Sequence, residues 1–90
     1  VKSPCLWLAA ASMTDYLMGN YERASVEAEK AMNAEGTQRM HDNARAIRLL
    51  VSTRNNKPTD DYTDFLLTEF RWLDNKIKEE RGSEADTFFR

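Results

Sequence analysis

The segment from Tyr16 to Ala24 constrains this chain most, because it combines the end of one helix, a tight turn and the start of another. Gly19 has no Cβ and can adopt the left-handed conformation that closes a helix. Asn20 is expected to cap the next helix with its side-chain oxygen. Small residues then recur at three- and four-residue spacing, at Ala24, Ala28 and Ala31. Since small side chains let a neighbouring backbone approach closely, the segment predicts a tight antiparallel helix pair.

Length and composition predict one folded domain with no membrane span. The 90 residues suffice for a single domain at most. A hydrophobic fraction of 41% and a charged fraction of 31% are typical of a globular protein rather than a disordered one. The longest apolar run, Cys5 to Ala11, is far shorter than the ~20 residues that cross a bilayer. The formal net charge of −2 gives no general attraction to nucleic acid or to an anionic membrane.

Helical periodicity predicts four helices that are separated by breaker residues. The predicted helices cover about residues 4–18, 21–35, 38–54 and 60–81. Ser3 and Pro4 form a start signal for the first helix, and Thr37 is the predicted N-cap of the third. Gly36 and Gly82 are expected to end the second and the fourth helix.

Each predicted helix carries an apolar stripe that should face the core. The stripes are Leu6, Ala10, Met13 and Leu17 in the first helix; Tyr21, Ala24, Ala28, Ala31 and Met32 in the second; Met40, Ala44, Ile47 and Val51 in the third; and Leu66, Phe70, Leu73 and Ile77 in the fourth. The fourth helix has the largest apolar surface because Tyr62, Phe65 and Trp72 flank its stripe. We therefore expect an all-α domain made of antiparallel helix-turn-helix pairs.

The residues after Gly82 predict the start of a fifth helix. The run from Ser83 to Asp86 fits a capping box in which Asp replaces the usual Glu. Phe88 and Phe89 would favour self-association if they are exposed, and the alternative is that they fold back on the fourth helix. The chain begins with Val rather than Met, so we expect it to be a fragment of a longer protein.

The first helix pair resembles a tetratricopeptide repeat, a helix-turn-helix unit of about 34 residues. Gly19, Asn20 and Tyr21 match the turn of that family, and Ala24 and Ala31 match the two small residues of its second helix. The resemblance implies an α-α superhelix that holds a protein or peptide partner in a concave groove. The chain is also similar in style to helical-repeat domains of bacterial proteins.

The resemblance divides the single domain of residues 1–90 into parts. Residues 1–36 form the repeat-like pair, residues 37–82 a looser second pair, and residues 83–90 a further helix start or tail. The match departs from the family at Leu8, Ser12 and Asp15, which replace an aromatic, a Gly and a Tyr, and at Ala28, which replaces an aromatic.

No residue pattern in the sequence predicts catalysis, a metal site or a cofactor. His41 is the only histidine, and no Cys, His or Glu lies at helical spacing from it. Cys5 is the only cysteine, so it has no internal disulfide partner and is expected to be a buried structural residue. Asp60, Asp61 and Asp64 lack the alternating spacing of a calcium loop and suit the positive end of a helix dipole.

Charge is distributed unevenly over the second half of the chain. Residues 37–57 carry a formal charge of +4 and residues 58–70 a charge of −4. His41, Arg45, Arg48 and Ser52 fall on one side of the third helix. The common interpretation is ion pairing with Glu22, Glu27 or Glu29 of the second helix, or solvation. The more specific interpretation is a binding site for an acidic peptide or a terminal carboxylate. Nucleic acid is disfavoured as a ligand because no aromatic residues are interleaved with the basic residues.

These observations favour a non-catalytic protein-interaction module or scaffold. The partner, a protein or peptide, would bind the face formed by helices one and three. The candidate contacts are Tyr16, Asn43, Arg45 and Arg48. The alternative is a structural or regulatory helical domain that stacks within a larger protein and has no independent ligand. An enzyme is the least favoured class.

Overall fold

The computed structural model describes residues 3–53 and 60–89, with side chains described for residues 3–53 and 64–82. These residues form four α-helices and no strand, which confirms the all-α class. The helices are α1 (Pro4–Leu17), α2 (Tyr21–Asn33), α3 (Gln38–Ser52) and α4 (Asp60–Phe89). The end of the third predicted helix at residue 54 lies outside the described residues.

The corner between α1 and α2 has the predicted backbone but a different cap. Gly19 has a φ of +85°, so it occupies the left-handed region that closes α1. Asn20 occupies the N-cap position of α2, yet its side chain makes no capping hydrogen bond. Its Nδ2 instead donates to Asp15 Oδ1 at 3.2 Å. The capping prediction was therefore wrong, because Asn20 donates its amide hydrogen to a carboxylate of α1.

Alanines line the contacts of α2 with its neighbours. Ala24, Ala28 and Ala31 are all fully buried, and Ala9 of α1 and Ala44 of α3 are fully buried as well. The three helices α1, α2 and α3 all contact one another. The side chains at these contacts are single methyl groups, so the helix backbones lie close together, as the small-residue spacing predicted.

The buried side of α1 is offset from the predicted stripe. Its buried residues are Cys5, Leu6, Ala9, Ser12 and Met13. Leu17, which the sequence placed in the core stripe, is 52% exposed, and its neighbour Met18 is 70% exposed. The Ser12 hydroxyl is fully buried and donates to Ala9 O at 2.8 Å, so its burial leaves no unmet donor. The buried side of α1 is therefore centred on Cys5, Ala9 and Ser12 rather than on Ala10 and Leu17.

Gly36 does not end α2. The helix stops at Asn33, and Ala34 is already extended, with φ −88° and ψ 151°. Gly36 lies against Cys5 instead, where a Cβ would come 2.5 Å from Sγ and 2.7 Å from Cβ. The glycine is thus needed for close approach to α1 rather than for helix closure. Thr37 does cap α3 as predicted, since its hydroxyl accepts a hydrogen bond from Met40 N at 3.3 Å.

The fourth helix continues past Gly82, so both the predicted stop and the fifth helix were wrong. α4 runs for 30 residues to Phe89, which is about 45 Å at the α-helical rise. Gly82 does not have a positive φ, and a Cβ there would meet nothing within 4 Å. A glycine in an open helical position costs only about 1 kcal/mol relative to Ala, so it weakens the helix without ending it.

α4 packs mainly against α1 rather than forming a second pair with α3. Leu66 and Leu73 join the core, and Phe70 and Ile77 pack beside it, as the fourth stripe predicted. Among the described residues, Arg39 of α3 contacts α4 at Glu69 and Trp72. Within residues 37–82, the region of the looser second pair, α3 therefore packs on α2, whereas α4 packs on α1.

Candidate interaction surfaces

Arg39 of α3 and Glu69 of α4 form a bidentate ion pair. Arg39 Nε donates to Glu69 Oε1 at 2.9 Å, and a terminal guanidinium nitrogen donates to Oε2 at 2.7 Å. The Glu69 side chain is 10% exposed, whereas that of Arg39 is 46% exposed. The same guanidinium lies over the Trp72 ring, with Cζ 4.1 Å from the centroid. One arginine thus binds both a carboxylate and an aromatic face of α4.

The ion pair changes the protonation equilibria of both groups. The hydrogen bonds from Arg39 lower the pKa of Glu69, although burial acts in the opposite direction. The hydrogen bond to Glu69 raises the pKa of Arg39. A nearly buried carboxylate without a cation would be costly, so Glu69 depends on Arg39. The pair also joins the positive segment of residues 37–57 to the negative segment of residues 58–70.

The structure does not bring the four predicted partner contacts together. Tyr16 packs on Tyr21, with ring centroids 5.6 Å apart. Asn43 is 1% exposed, and its Nδ2 has no hydrogen-bond partner. Helical periodicity places Asn43 on the side of α3 that carries Arg39, and Arg45 on the opposite side. Asn43 therefore faces the molecule's interior, whereas Arg45 faces outward.

The outward side of α3 presents two arginines and a leucine, which we call the α3 outer surface: Arg45, Arg48 and Leu49. Arg45 pairs with Asp42 of its own helix at 3.0 Å. Arg48 lies 3.9 Å from Met32 Sδ of α2 and has no carboxylate within ion-pair distance among the described residues. Leu49 is 59% exposed. The predicted pairing of this basic segment with Glu22, Glu27 or Glu29 is not found in the described part of the chain.

The other two residues predicted on the same side of α3 as Arg45 and Arg48 are His41 and Ser52, and both form local hydrogen bonds. His41 Nε2 lies 2.8 Å from Ala34 O, in the connection between α2 and α3. Ser52 Oγ donates to Leu49 O at 2.7 Å. These two side chains therefore bond to the backbone around α3, and Arg45 and Arg48 are the exposed charged side chains of the stripe.

Asp15 of α1 and Glu27 of α2 form a second charged contact, beside the α1–α2 corner. Burial, together with the hydrogen bond to Asp15 and its negative charge, raises the pKa of Glu27 to about 7. The hydrogen bond from Glu27 lowers the pKa of Asp15, and Asn20 acts in the same direction. Arg23 and Lys30 oppose the rise at Glu27 through their positive charges. The Glu27 carboxyl therefore titrates near neutral pH beside the ionised carboxylate of Asp15.

An open cleft and a buried thiol are the features of the described residues that bear on chemistry. A cleft of about 500 Å³ is open and lies between the starts of α1 and α3; it is lined by Ser3, Pro4, Glu35, Gly36, Thr37 and Met40. No three potential metal ligands cluster in the described parts of the chain. Burial raises the pKa of the Cys5 thiol, whose Sγ donates to Ala31 O at 3.3 Å. A thiol in this environment is a poor nucleophile.

Comparison of the chain with protein-family models, with curated proteins and with solved structures gives no match. Over the described residues, none of the helices combines the length and apolar character of a membrane span.

The Arg39–Glu69–Trp72 contact was not predicted from the sequence. Its signal was the pair of adjacent segments with equal and opposite charge, since such segments attract when a short connection brings them together. Periodicity alone could not select Arg39 among the cations of residues 37–57. That choice depends on which side of α3 meets α4, and this is a property of the assembled helices.

Proposed function

We propose that this chain is a non-catalytic protein-interaction module, similar to a tetratricopeptide repeat, that binds an acidic protein or peptide segment. The observation that carries the proposal is the α3 outer surface, where Arg45, Arg48 and Leu49 are exposed side by side. Arginine suits this task because its planar guanidinium donates two parallel hydrogen bonds to a carboxylate. Leu49 adds an apolar contact, so the preferred segment would combine acidic and apolar residues.

The geometry of the first helix pair supports the kind of module proposed. Gly19 closes α1 in the left-handed conformation, and Ala24 and Ala31 are buried at the helix contact. These positions carry the resemblance to the repeat family. The proposed contacts are Arg45 and Arg48 on the outward side of α3, where Arg48 lies against Met32 of α2. Asn43 is 1% exposed and is therefore not part of this surface.

Binding of defined peptides tests the proposal. The probes are fluorescein-labelled peptides with several Glu residues around a central Leu, and matched peptides with Gln in place of every Glu. The double variant Arg45→Glu, Arg48→Glu should bind the acidic peptides about tenfold more weakly or worse, because each bidentate contact becomes a repulsion. Fluorescence anisotropy measures the affinity.

Arg71→Glu is the matched control, since Arg71 is an exposed arginine on α4, outside the α3 outer surface. It should retain the affinity of the unmodified chain, and circular dichroism should be unchanged for both variants. Equal affinity for the Glu and Gln peptides, or undiminished binding by the double variant, would overturn the proposed site.

A structural role within a larger helical assembly is the second candidate. Exposed apolar side chains at the α1–α2 corner and on α2 favour it: Leu17 and Val26 are each 52% exposed, and Met18 is 70% exposed. In that role a neighbouring element would cover Met18 in the assembly. Peroxide would then oxidise Met18 more slowly in the assembled protein than in this chain, and equal oxidation rates would speak against stacking at this corner.

A further inference from the structure

The Asp15 side chain connects three parts of the α1–α2 corner. Asn20 Nδ2 donates to Asp15 Oδ1 at 3.2 Å, and the Glu27 carboxyl of α2 forms a hydrogen bond with the same Asp15 side chain. The backbone N–H of Asn20 also donates to Asp15 O, at 2.8 Å. A chain of side-chain hydrogen bonds, Glu27 to Asp15 to Asn20, therefore joins α2 to the last turn of α1 and to the corner residue between them.

The contact between the two carboxyls exists only while one of them carries a proton, because an ionised carboxylate has acceptors and no donor. Glu27 is the protonated partner, since its pKa is raised to about 7 and that of Asp15 is lowered. The charged groups that act on Glu27 are Asp15 of α1 and, from its own helix, Arg23 and Lys30. The two cations favour the ionised form, but burial and Asp15 outweigh them.

Asn20 has a second bond open to it. It occupies the N-cap position of α2, but its side chain makes no capping hydrogen bond because it is turned toward Asp15. An Asn at this position ordinarily accepts a hydrogen bond from the second or third N–H of the helix, which here belong to Glu22 and Arg23. The Asn20 side chain thus has two alternative partners, one on each of the helices that meet at the corner.

We propose that the corner is a proton-operated switch, in which the proton on Glu27 determines whether Asn20 bonds to Asp15 or caps α2. When the proton passes to solvent, two like charges face each other and their hydrogen bond is lost. Burial is the largest influence on Glu27 and a minor one on Asp15, so Asp15 is the side chain that turns to water. Asn20 then loses its acceptor on α1 and caps α2. This proposal does not depend on the α3 outer surface.

A pH titration of the full chain by NMR follows both bonds of Asn20. The probes are the side-chain amide protons of Asn20, the backbone amide protons of Glu22 and Arg23, and the carboxyl carbon of Glu27. We expect one transition with its midpoint near 7, where the Glu27 carboxyl titrates. As pH rises, the Asn20 amide protons should shift upfield because they lose the Asp15 carboxylate. The amide proton of Glu22 or Arg23 should shift downfield because it gains an acceptor.

Three variants assign the transition to this hydrogen-bond chain. Glu27→Gln keeps a donor for Asp15 but has no proton to lose, so it should show the acidic signals at every pH. Asp15→Ala removes the acceptor of the Asn20 side chain and should show the capped signals at every pH. Glu29→Gln is the matched control and should keep the transition, because Glu29 is exposed on the side of α2 opposite Glu27.

Three results would overturn the switch. The first is that the amide protons of Asn20, Glu22 and Arg23 in the unmodified chain do not move across the titration, whatever the Glu27 carboxyl does. The second is a transition that persists in Glu27→Gln. The third is that Asp15→Ala lacks the capped signals, because Asn20 would then not cap α2 even when Asp15 is absent.

Discussion

Gly36 lies so close to Cys5 that a Cβ at position 36 would come within 2.5 Å of the Cys5 sulfur. The contact joins the start of α3 to the first turn of α1, on the buried side where Cys5 Sγ donates to Ala31 O. A lone cysteine and a loop glycine thus act together to bring α1, α2 and α3 into one core.

Gly36→Ala should destabilise the fold by about 1–3 kcal/mol, since the added methyl group overlaps a buried side chain. Urea denaturation followed by circular dichroism measures the change. Gly82→Ala is the matched control and should stabilise by about 0.5–1 kcal/mol, because Gly82 is helical and its Cβ would be unobstructed. If Gly36→Ala were as stable as the unmodified chain, Gly36 and Cys5 would not be in close contact.

Ala28→Leu should destabilise by about 1–3 kcal/mol or prevent folding, because Ala28 is fully buried where α2 meets its neighbours. Val26→Leu, on the exposed side of the same helix, should change stability by less than about 0.5 kcal/mol. The comparison uses thermal and urea midpoints of both variants. Similar effects of the two substitutions would contradict the alanine-lined contact.

The Glu27 carboxyl should make stability fall as pH rises from the ordinary carboxyl range toward 7. Its pKa is raised from 4.5 to about 7 in the folded state, so between these values the folded chain binds more protons than the unfolded one. The stabilisation is complete below 4.5 and lost above about 7. Glu27→Gln should remove this slope and be the more stable form at pH 8, as urea midpoints between pH 4 and 8 would show. A slope that persists in Glu27→Gln would assign it to another group.

The Glu69 carboxyl should act in the opposite sense at lower pH. Its pKa is lowered in the folded state by the hydrogen bonds from Arg39, so its stabilisation is present above the ordinary carboxyl pKa and is lost as pH falls below it. Glu69→Gln should therefore lose stability near pH 7 and differ little from the unmodified chain in strong acid. If Glu69→Gln lost the same amount of stability near pH 7 and in strong acid, the cause would be lost packing rather than lost charge.

The sequence predicted the helices well where the determinant was local. Gly19, Thr37 and the alanines of α2 act within one turn or one helix face, and the structure has each of them in the predicted place. The predictions failed at residues whose role depends on a contact with another helix. Asn20 bonds to Asp15 rather than capping α2, and Gly36 is fixed by Cys5, which is distant in sequence.

The candidate site was predictable in composition but not in arrangement. Arg45 and Arg48 are exposed on the expected side of α3, because helical spacing determines that they share a side. The burial of Asn43 depends on where the neighbouring helices lie, and residues 37–57 contain no signal for that. The same holds for α4, whose position on α1 is set by Arg39, Trp7 and the leucines together.

The most direct test of the account is a double-mutant cycle between Arg39 and Glu69, measured by urea denaturation at neutral pH. The ion pair predicts strong non-additivity: Arg39→Ala leaves a nearly buried carboxylate without its cation, so the double variant Arg39→Ala, Glu69→Ala should lose much less stability than the two single losses combined. Additive losses would mean that the two residues do not meet, and would contradict the placement of α4 over α1 and α3.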